Sequence, residues 1–300
     1  MRTAASLTGL LLWPNLAAAG EANVEEVVIS AAKLNEARTG LETQVGASTY
    51  HFDTSAIQTA PGGDNGLLSQ VTLQAPSVAQ DSFGQLHVRG EHNGLQYRLN
   101  GIILPEGISV FGQTLDPRLI SSMQLITGAL PAEYGLRTAG IIDLTTKSGV
   151  FQPGGSLSFY VGSHGTVEPS LNYGGSSGNF NYFISGDFLR NDLGIESPDG
   201  RSNPIHDRTN QIHGFGYFED ILDADDRVAL ILGTSNDQFQ IPNVGGLQPG
   251  PLDGINGLGA GGALLVNGQS SFLSDNLNEA QREITHYGIL SLEHASGPLD

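Results

Sequence analysis

From residue 154 onward, apolar and polar positions alternate. Leu157, Phe159 and Val161 interleave with Ser156, Ser158 and Tyr160; Phe180, Tyr182, Ile184 and Phe188 interleave with Asn179, Asn181, Ser185 and Asp187. A period of two places successive side chains on opposite faces of an extended chain, so each run predicts a strand with one oily face. Residues 168–173, 211–218, 226–234 and 284–294 are further candidate strands. Their connections sort by length: 174–178 and 219–225 are short, 191–210 and 235–283 are long, and 163–166 is the one short member of the second set. Short turns at one rim and longer loops at the other are the signature of an up-and-down barrel in a membrane. A soluble sandwich shares the alternation of faces but has no reason to gather its long loops at one end.

The first half of the chain has a different rhythm. Strand-forming Tyr97-Arg98-Leu99 and Ile102-Ile103-Leu104 flank Asn100-Gly101. Asn-Gly in that setting predicts a tight hairpin, because a type I′ turn needs positive φ at both central residues. The run 116–123 opens on Asp116 as an N-cap and Pro117 at the first helical position, which predicts a short helix feeding a strand at 124–127. Gly135, Gly140 and Gly149 mark turns. At the start, residues 1–19 carry one Arg, an apolar stretch from 7 to 16, and Ala17-Ala18-Ala19 before Gly20, the shape of a secretory signal peptide. The apolar stretch is shorter than the roughly 20 residues a spanning helix needs. After it, Glu26, Val27, Val28, Ile29, Ser30 and Ala31 form a β-branched run with no partner strand in sequence reach, suited to adding itself to the open edge of another protein's sheet.

Four short patterns then fall in one order: Val88-Arg89-Gly90; Leu99-Asn100-Gly101; Pro131-Ala132-Glu133-Tyr134-Gly135; and a closing run from Gly140-Ile141-Ile142-Asp143-Leu144 through Thr145-Thr146-Lys147-Ser148-Gly149. The series resembles the plug domain of TonB-dependent outer-membrane receptors. The run of residues 26–31 resembles the TonB box of that family. What the resemblance implies is an α+β plug domain, a small mixed sheet with short helices, followed by the first strands of an antiparallel transmembrane β-barrel. The expected division is a signal peptide at 1–19, a flexible segment with the TonB box at 20–45, the plug at 46–149 and the first part of the barrel at 150–300. A barrel wide enough to hold a plug needs about 22 strands, so the chain is expected to be a fragment of a longer one. The resemblance also implies that loops at the plug's outer apices hold ligand, which singles out His92, Asn93, Gln96, Ile108 and Phe111. It implies plug-locking arginines paired with barrel carboxylates. Arg89 matches the first; where the second is expected the chain reads Thr127-Gly128-Ala129, leaving Arg137 as a candidate substitute.

Composition narrows the function. The formal net charge is −18, and 13 of those excess negative charges lie at or beyond residue 151, where 18 acidic residues face 5 arginines. Phosphate binding needs a basic footprint, so a nucleic-acid partner is excluded. There is no cysteine, which removes disulfides, lipidation at a lipobox and thiolate chemistry. Fourteen of the 21 aromatic residues also lie beyond residue 150, as aromatic-bearing barrel strands require. Gly257-Leu258-Gly259-Ala260-Gly261-Gly262 satisfies the dinucleotide fingerprint, but no strand precedes it and no helical pattern follows. His87-Val88-Arg89-Gly90-Glu91-His92 has one residue too many for an inverted zinc motif. No catalytic residue, metal site or cofactor is called for. The function expected is energy-coupled uptake of a scarce ligand across the outer membrane, with TonB, membrane lipid and a small molecule such as a ferric siderophore as partners. A vitamin, an oligosaccharide or a peptide is an alternative cargo, and a secreted β-rich adhesin without energy coupling is the rival class.

Overall fold

The computed structural model describes residues 47–81, 85–91, 94–105, 115–130, 134–135, 137–192, 205–246 and 273–295. Two sheets dominate. The first is mixed and five-stranded, built from β1 (Ala47–Asp53), β4 (Leu95–Leu99), β5 (Ile102–Ile103), β6 (Ile120–Gly128) and β7 (Gly140–Thr146) in the order β1-β6-β7-β4-β5. Only β4 and β7 run parallel. A two-stranded ribbon, β2 (Val78–Gln80) with β3 (Leu86–Val88), and two short helices, Thr54–Thr59 and Leu68–Thr72, complete this unit. The second sheet is an antiparallel meander of six strands: β8 (Gly154–Val161), β9 (Val167–Ser177), β10 (Phe180–Asn191), β11 (Thr209–Ile221), β12 (Asp226–Gln240) and β13 (Ala280–His294).

The predicted hairpin is present. Asn100 and Gly101 sit at φ 52° and 77°, as a type I′ turn demands. Asn100 is buried and does more than turn the chain: its Nδ2 donates to Thr146 Oγ1 at 2.9 Å and its Oδ1 accepts from the Thr146 N–H at 3.0 Å, tying the hairpin to β7. The predicted helix at 116–123 is corrected. Asp116 does cap, accepting from the Arg118 N–H, but the turn it starts is a single 3-10 turn over Pro117–Leu119. From Ile120 the chain is already strand, because pairing with β7 on one side, joined by β1 from Ser122 on the other, outweighs three residues of helical propensity.

The six meander strands fall where alternation predicts them but run longer, β11 for example over Thr209–Ile221 in place of 211–218. β9 runs on through Gly174-Gly175 to Ser177, leaving a two-residue turn at 178–179 in place of 174–178; β12 extends to Gln240, and β13 begins at Ala280. Polar and glycine positions carry no periodic signal, while the backbone ladder goes on regardless.

The meander has two unlike faces. Its inner face contributes Phe183, Phe215, Tyr217, Ala229 and Ile231 to the same core as Met123, Leu125, Ile142 and Leu144 of the first sheet. Its outer face leaves large apolar side chains bare: Leu157 is 82% exposed, Leu290 77%, Leu292 70% and Phe159 67%. Near the short turn at 178–179 the rings of Tyr173, Tyr182 and Phe180 gather, with centroids 5.9 and 6.2 Å apart. An apolar band edged by aromatic rings is the outer surface of a strand barrel in lipid.

Candidate functional site

The seam between the two units is polar and centred on Arg118. The Asp116 cap fixes the turn, and the turn points the guanidinium out of the first unit and into the second. Arg118 Nη1 donates to Asp116 Oδ2 at 2.6 Å, and Nη2 donates to Asn65 Oδ1 at 2.6 Å. Nη2 also reaches Glu168 Oε1 on β9 in a short charge-assisted bond, and Nη1 stands 3.9 Å from Asp187 Oδ1 on β10. The chain of charges continues along the inner face. His213 on β11 pairs through Nδ1 with Asp187 Oδ2 at 2.9 Å, and its Nε2 stands 3.3 Å from Asp237 Oδ1 on β12. Five elements, consecutive strands β9 to β12 and the Arg118 turn, are thereby joined.

Arg118 is 5% exposed and Asp237 is fully buried. Burial works against the Arg118 charge, yet the neighbouring carboxylates of Asp116, Glu168 and Asp187 win, and the guanidinium is held above its ordinary value. Asp116 is raised as well, which for a carboxyl disfavours the charged form. Burial lifts its carboxyl to about 7 despite the lowering effect of Arg118, with the nearby charge of Asp187 adding to the rise. Lys147, half-buried near the same group, is lowered chiefly by burial. Ligand atoms of Asp116, Asp187 and His213 lie within 4.8 Å of one another, which is metal-site spacing. Arg118 stands against two of those three groups and is itself the cation of the cluster.

The Asp116 shift has a pH consequence. A carboxyl whose folded value exceeds its unfolded one binds a proton in the fold that the unfolded chain has released, so its contribution to stability falls as pH rises from about 4 to about 7 and levels off above. Asp116→Asn keeps the acceptor for the Arg118 N–H. It is expected to flatten that part of the profile when urea midpoints are compared between about pH 5 and pH 8.

A second contact lies at the opposite rim. Ser148 Oγ donates to Glu219 Oε1; Tyr217 Oη donates to Glu219 Oε2 at 2.8 Å; Arg227 Nη1 approaches the same oxygen at 3.4 Å and Nη2 pairs with Glu293 at 2.7 Å. Ser148 and Gly149 are thereby pinned to the inner face where the chain passes from the first sheet to the second.

The residues singled out in the sequence are placed as follows. Arg89 and Gly90 form a turn at φ 54° and 78°, and Arg89 is exposed, without an ion pair among the described residues. Tyr134 is buried beneath Arg98, whose guanidinium lies 4.5 Å from the ring centroid, and Gly135 follows at φ 61°. Gln96 is half-buried in β4, with its Oε1 accepting from Arg98 Nε at 2.9 Å. Residues 26–31, His92, Asn93, Ile108, Phe111, Glu133 and the glycine run 257–262 lie outside the described residues. The sequence marks Asp116 only as a helix cap and gives no sign of Arg118 as a site residue. The available signal was parity: Asp187 belongs to the polar set of an alternating strand, close to where that strand meets a long loop.

No family model and no curated protein sequence matches the chain. Solved structures do. The Pseudomonas aeruginosa FpvA bound to a heterologous pyoverdine aligns at TM-score 0.59 and 15% identity, covering 87% of this chain and 34% of that one. The siderophore receptor PirA from Acinetobacter baumannii aligns at 0.52 and 15%, covering 69% and 34%. The FrpB iron transporter from Neisseria meningitidis aligns at 0.51 and 16%, covering 66% and 33%. The chain spans about a third of the length of each. The likeness lies in the fold, and with the motif order and the charged seam it leads to one statement: this chain has the fold of the TonB-dependent outer-membrane receptors, an α+β plug followed by opening strands of an antiparallel barrel.

Proposed function

We propose that the chain is the plug-bearing part of an outer-membrane receptor that takes up a scarce small molecule, a ferric siderophore first among the candidates, with energy delivered through TonB. The observation that carries the proposal is the buried seam around Arg118. Two units joined by a cluster of ionic contacts can separate when an outside force or a change of charge tips the balance, whereas a purely apolar interface of the same size has no such handle. The fold neighbours, among them a siderophore receptor and an iron transporter, support the cargo class. Residues 26–31 are the proposed TonB contact, by strand addition. His92, Asn93, Gln96, Ile108 and Phe111 remain the proposed plug residues for ligand.

For coupling to work, the ligand must bind one state of the plug better than the other; equal affinity for both shifts nothing. Cysteine at Val28 is therefore expected to crosslink to TonB with a yield that rises on adding an iron-loaded siderophore. Absence of crosslinking with and without ligand would favour a binding module that draws no energy. Growth of a deletion strain under iron limitation, with single siderophores supplied, identifies the cargo.

A further inference from the structure

The inner wall of the meander is acidic and nearly free of its own cations. Of the described arginines from residue 154 on, Arg227 faces inward, and it is engaged by Glu219 and Glu293 near the short turns. Arg190 and Arg282 fall on the outward parity of their strands, and Arg208 is half exposed beside Asp192. Toward the long loops the wall presents Glu168, Asp187, Asp237 and Glu283, with Asp207 just before β11, and no lysine or arginine among the described inward positions there matches them. The plug supplies Arg118, which reaches Glu168 and Asp187.

Two of these carboxylates are buried without a hydrogen-bond donor. Asp207 is 5% exposed and Asp237 is fully buried, and no oxygen of either carboxylate accepts a hydrogen bond. The cation nearest Asp237 is His213, whose Nε2 stands 3.3 Å away. Thr209 Oγ1, two residues along from Asp207, is buried and unbonded as well. Buried polar groups are nearly always hydrogen-bonded, so a run of bare ones marks a place that something else completes. Burial lifts the Asp207 carboxyl to about 6, with His164 opposing the rise and Asp192 adding to it, so the group still carries its charge at neutral pH. The file leads to the seam: Asp207, Thr209 and Gln211 precede His213, Asp237 lies opposite Gln211, and His213 meets Asp187 beside Arg118.

We infer that the inner wall from Asp207 to Asp187 receives a cationic group of the cargo, an ammonium or guanidinium, and that this group takes over Glu168 and Asp187 when Arg118 withdraws; this rests on the uptake proposed above. Arg118 shows what the wall accepts, since its guanidinium already makes a charge-assisted bond to Glu168. A wall of one sign concentrates the opposite charge and turns away its own, so an anionic complex is disfavoured along the same path. The exchange also supplies the differential affinity that coupling needs. With Arg118 in place Glu168 and Asp187 are occupied; with the plug displaced they are bare, and a cationic cargo binds that state better.

The test follows radioiron uptake by cells carrying the intact receptor, from one linear ferric trihydroxamate in three forms: with a free terminal ammonium, with that amine acetylated, and with it capped by succinate, which leaves a carboxylate. The ammonium form is expected to enter about tenfold faster than the acetylated one, and the carboxylate form slowest. Asp207→Asn and Asp237→Asn are each expected to narrow the preference to about threefold, whereas Asp220→Asn, outward near the short turns, keeps it. Equal entry of the ammonium and acetylated forms overturns the inference, as does a preference unchanged in both inward variants. Entry of none of the three counts against the uptake reading, and a second measurement then decides the site without any cargo. Methylguanidinium, but not methylurea, is expected to restore part of the protease resistance that purified Arg118→Ala protein loses, and Glu168→Gln with Asp187→Asn in the same chain to remove that gain. An equal effect of the two compounds overturns the inference whether or not any iron complex is taken up.

Discussion

Arg118→Met is expected to loosen the plug from the barrel wall by about 3–5 kcal/mol, the usual cost of removing one partner from a buried ion pair. The substitution keeps most of the volume but leaves Asp116, Glu168 and Asp187 facing one another without their common cation. Three carboxylates cannot remain charged at that spacing in a dry seam, so the unit relaxes by taking up protons or by parting. The measurement is the rate at which thermolysin cuts the plug of the folded protein, together with the thermal midpoint. Arg89→Met is the comparison: an exposed side chain on a turn is expected to shift stability by less than about 1 kcal/mol. Adding Glu168→Gln to Arg118→Met should recover part of the loss, because it removes one of the stranded charges. Equal loosening by the two single variants, or no recovery in the pair, would place the lock elsewhere.

The contrast between Arg89 and Arg118 shows what a linear sequence conveys. Alternation located the six meander strands, since Leu157, Phe159, Ile184 and Leu290 must face the same way for the sheet to have an oily side. Asn100-Gly101 located the hairpin, since few residue pairs tolerate two positive φ angles. Both are local constraints. The seam is not local: Arg118 meets Asn65, Glu168 and Asp187 from 53, 50 and 69 residues away, and no spacing rule links these positions. A motif match drew attention to Arg89, whose neighbourhood looks right in sequence but is open to solvent. The helix expected at 116–123 failed for the same reason. Asp116 and Pro117 are sound start signals, but β1 and β7, encoded far away, claimed the residues after the first turn.

Gly149→Ala is expected to cost about 3 kcal/mol or more, out of proportion to one methyl group. A Cβ on Gly149 would lie 2.0 Å from the Gly175 carbonyl oxygen and 2.3 Å from that of Tyr182. Both are backbone atoms of paired strands β9 and β10, so no side-chain rotation relieves the clash; the strands must separate or the junction must lift. Next to it, Ser148 is held by Glu219, whose other oxygen takes Tyr217 and Arg227. The passage from plug to barrel is therefore clamped at one point, about where the chain turns from β7 toward β8, while the seam at Arg118 holds the opposite rim through ionic contacts that a change of charge can weaken. Gly186→Ala is the control: its nearest neighbour is the His213 carbonyl oxygen at 3.5 Å, an ordinary contact, and its effect is expected to stay within about 1 kcal/mol. If the clamp is real, Gly149→Ala lowers the yield of protease-resistant plug and the thermal midpoint together, and Ser148→Ala lowers both by a smaller step. A Gly149→Ala protein as stable as the Gly186→Ala one would mean that the junction moves freely, and the plug would then be held by the Arg118 seam and the shared apolar core.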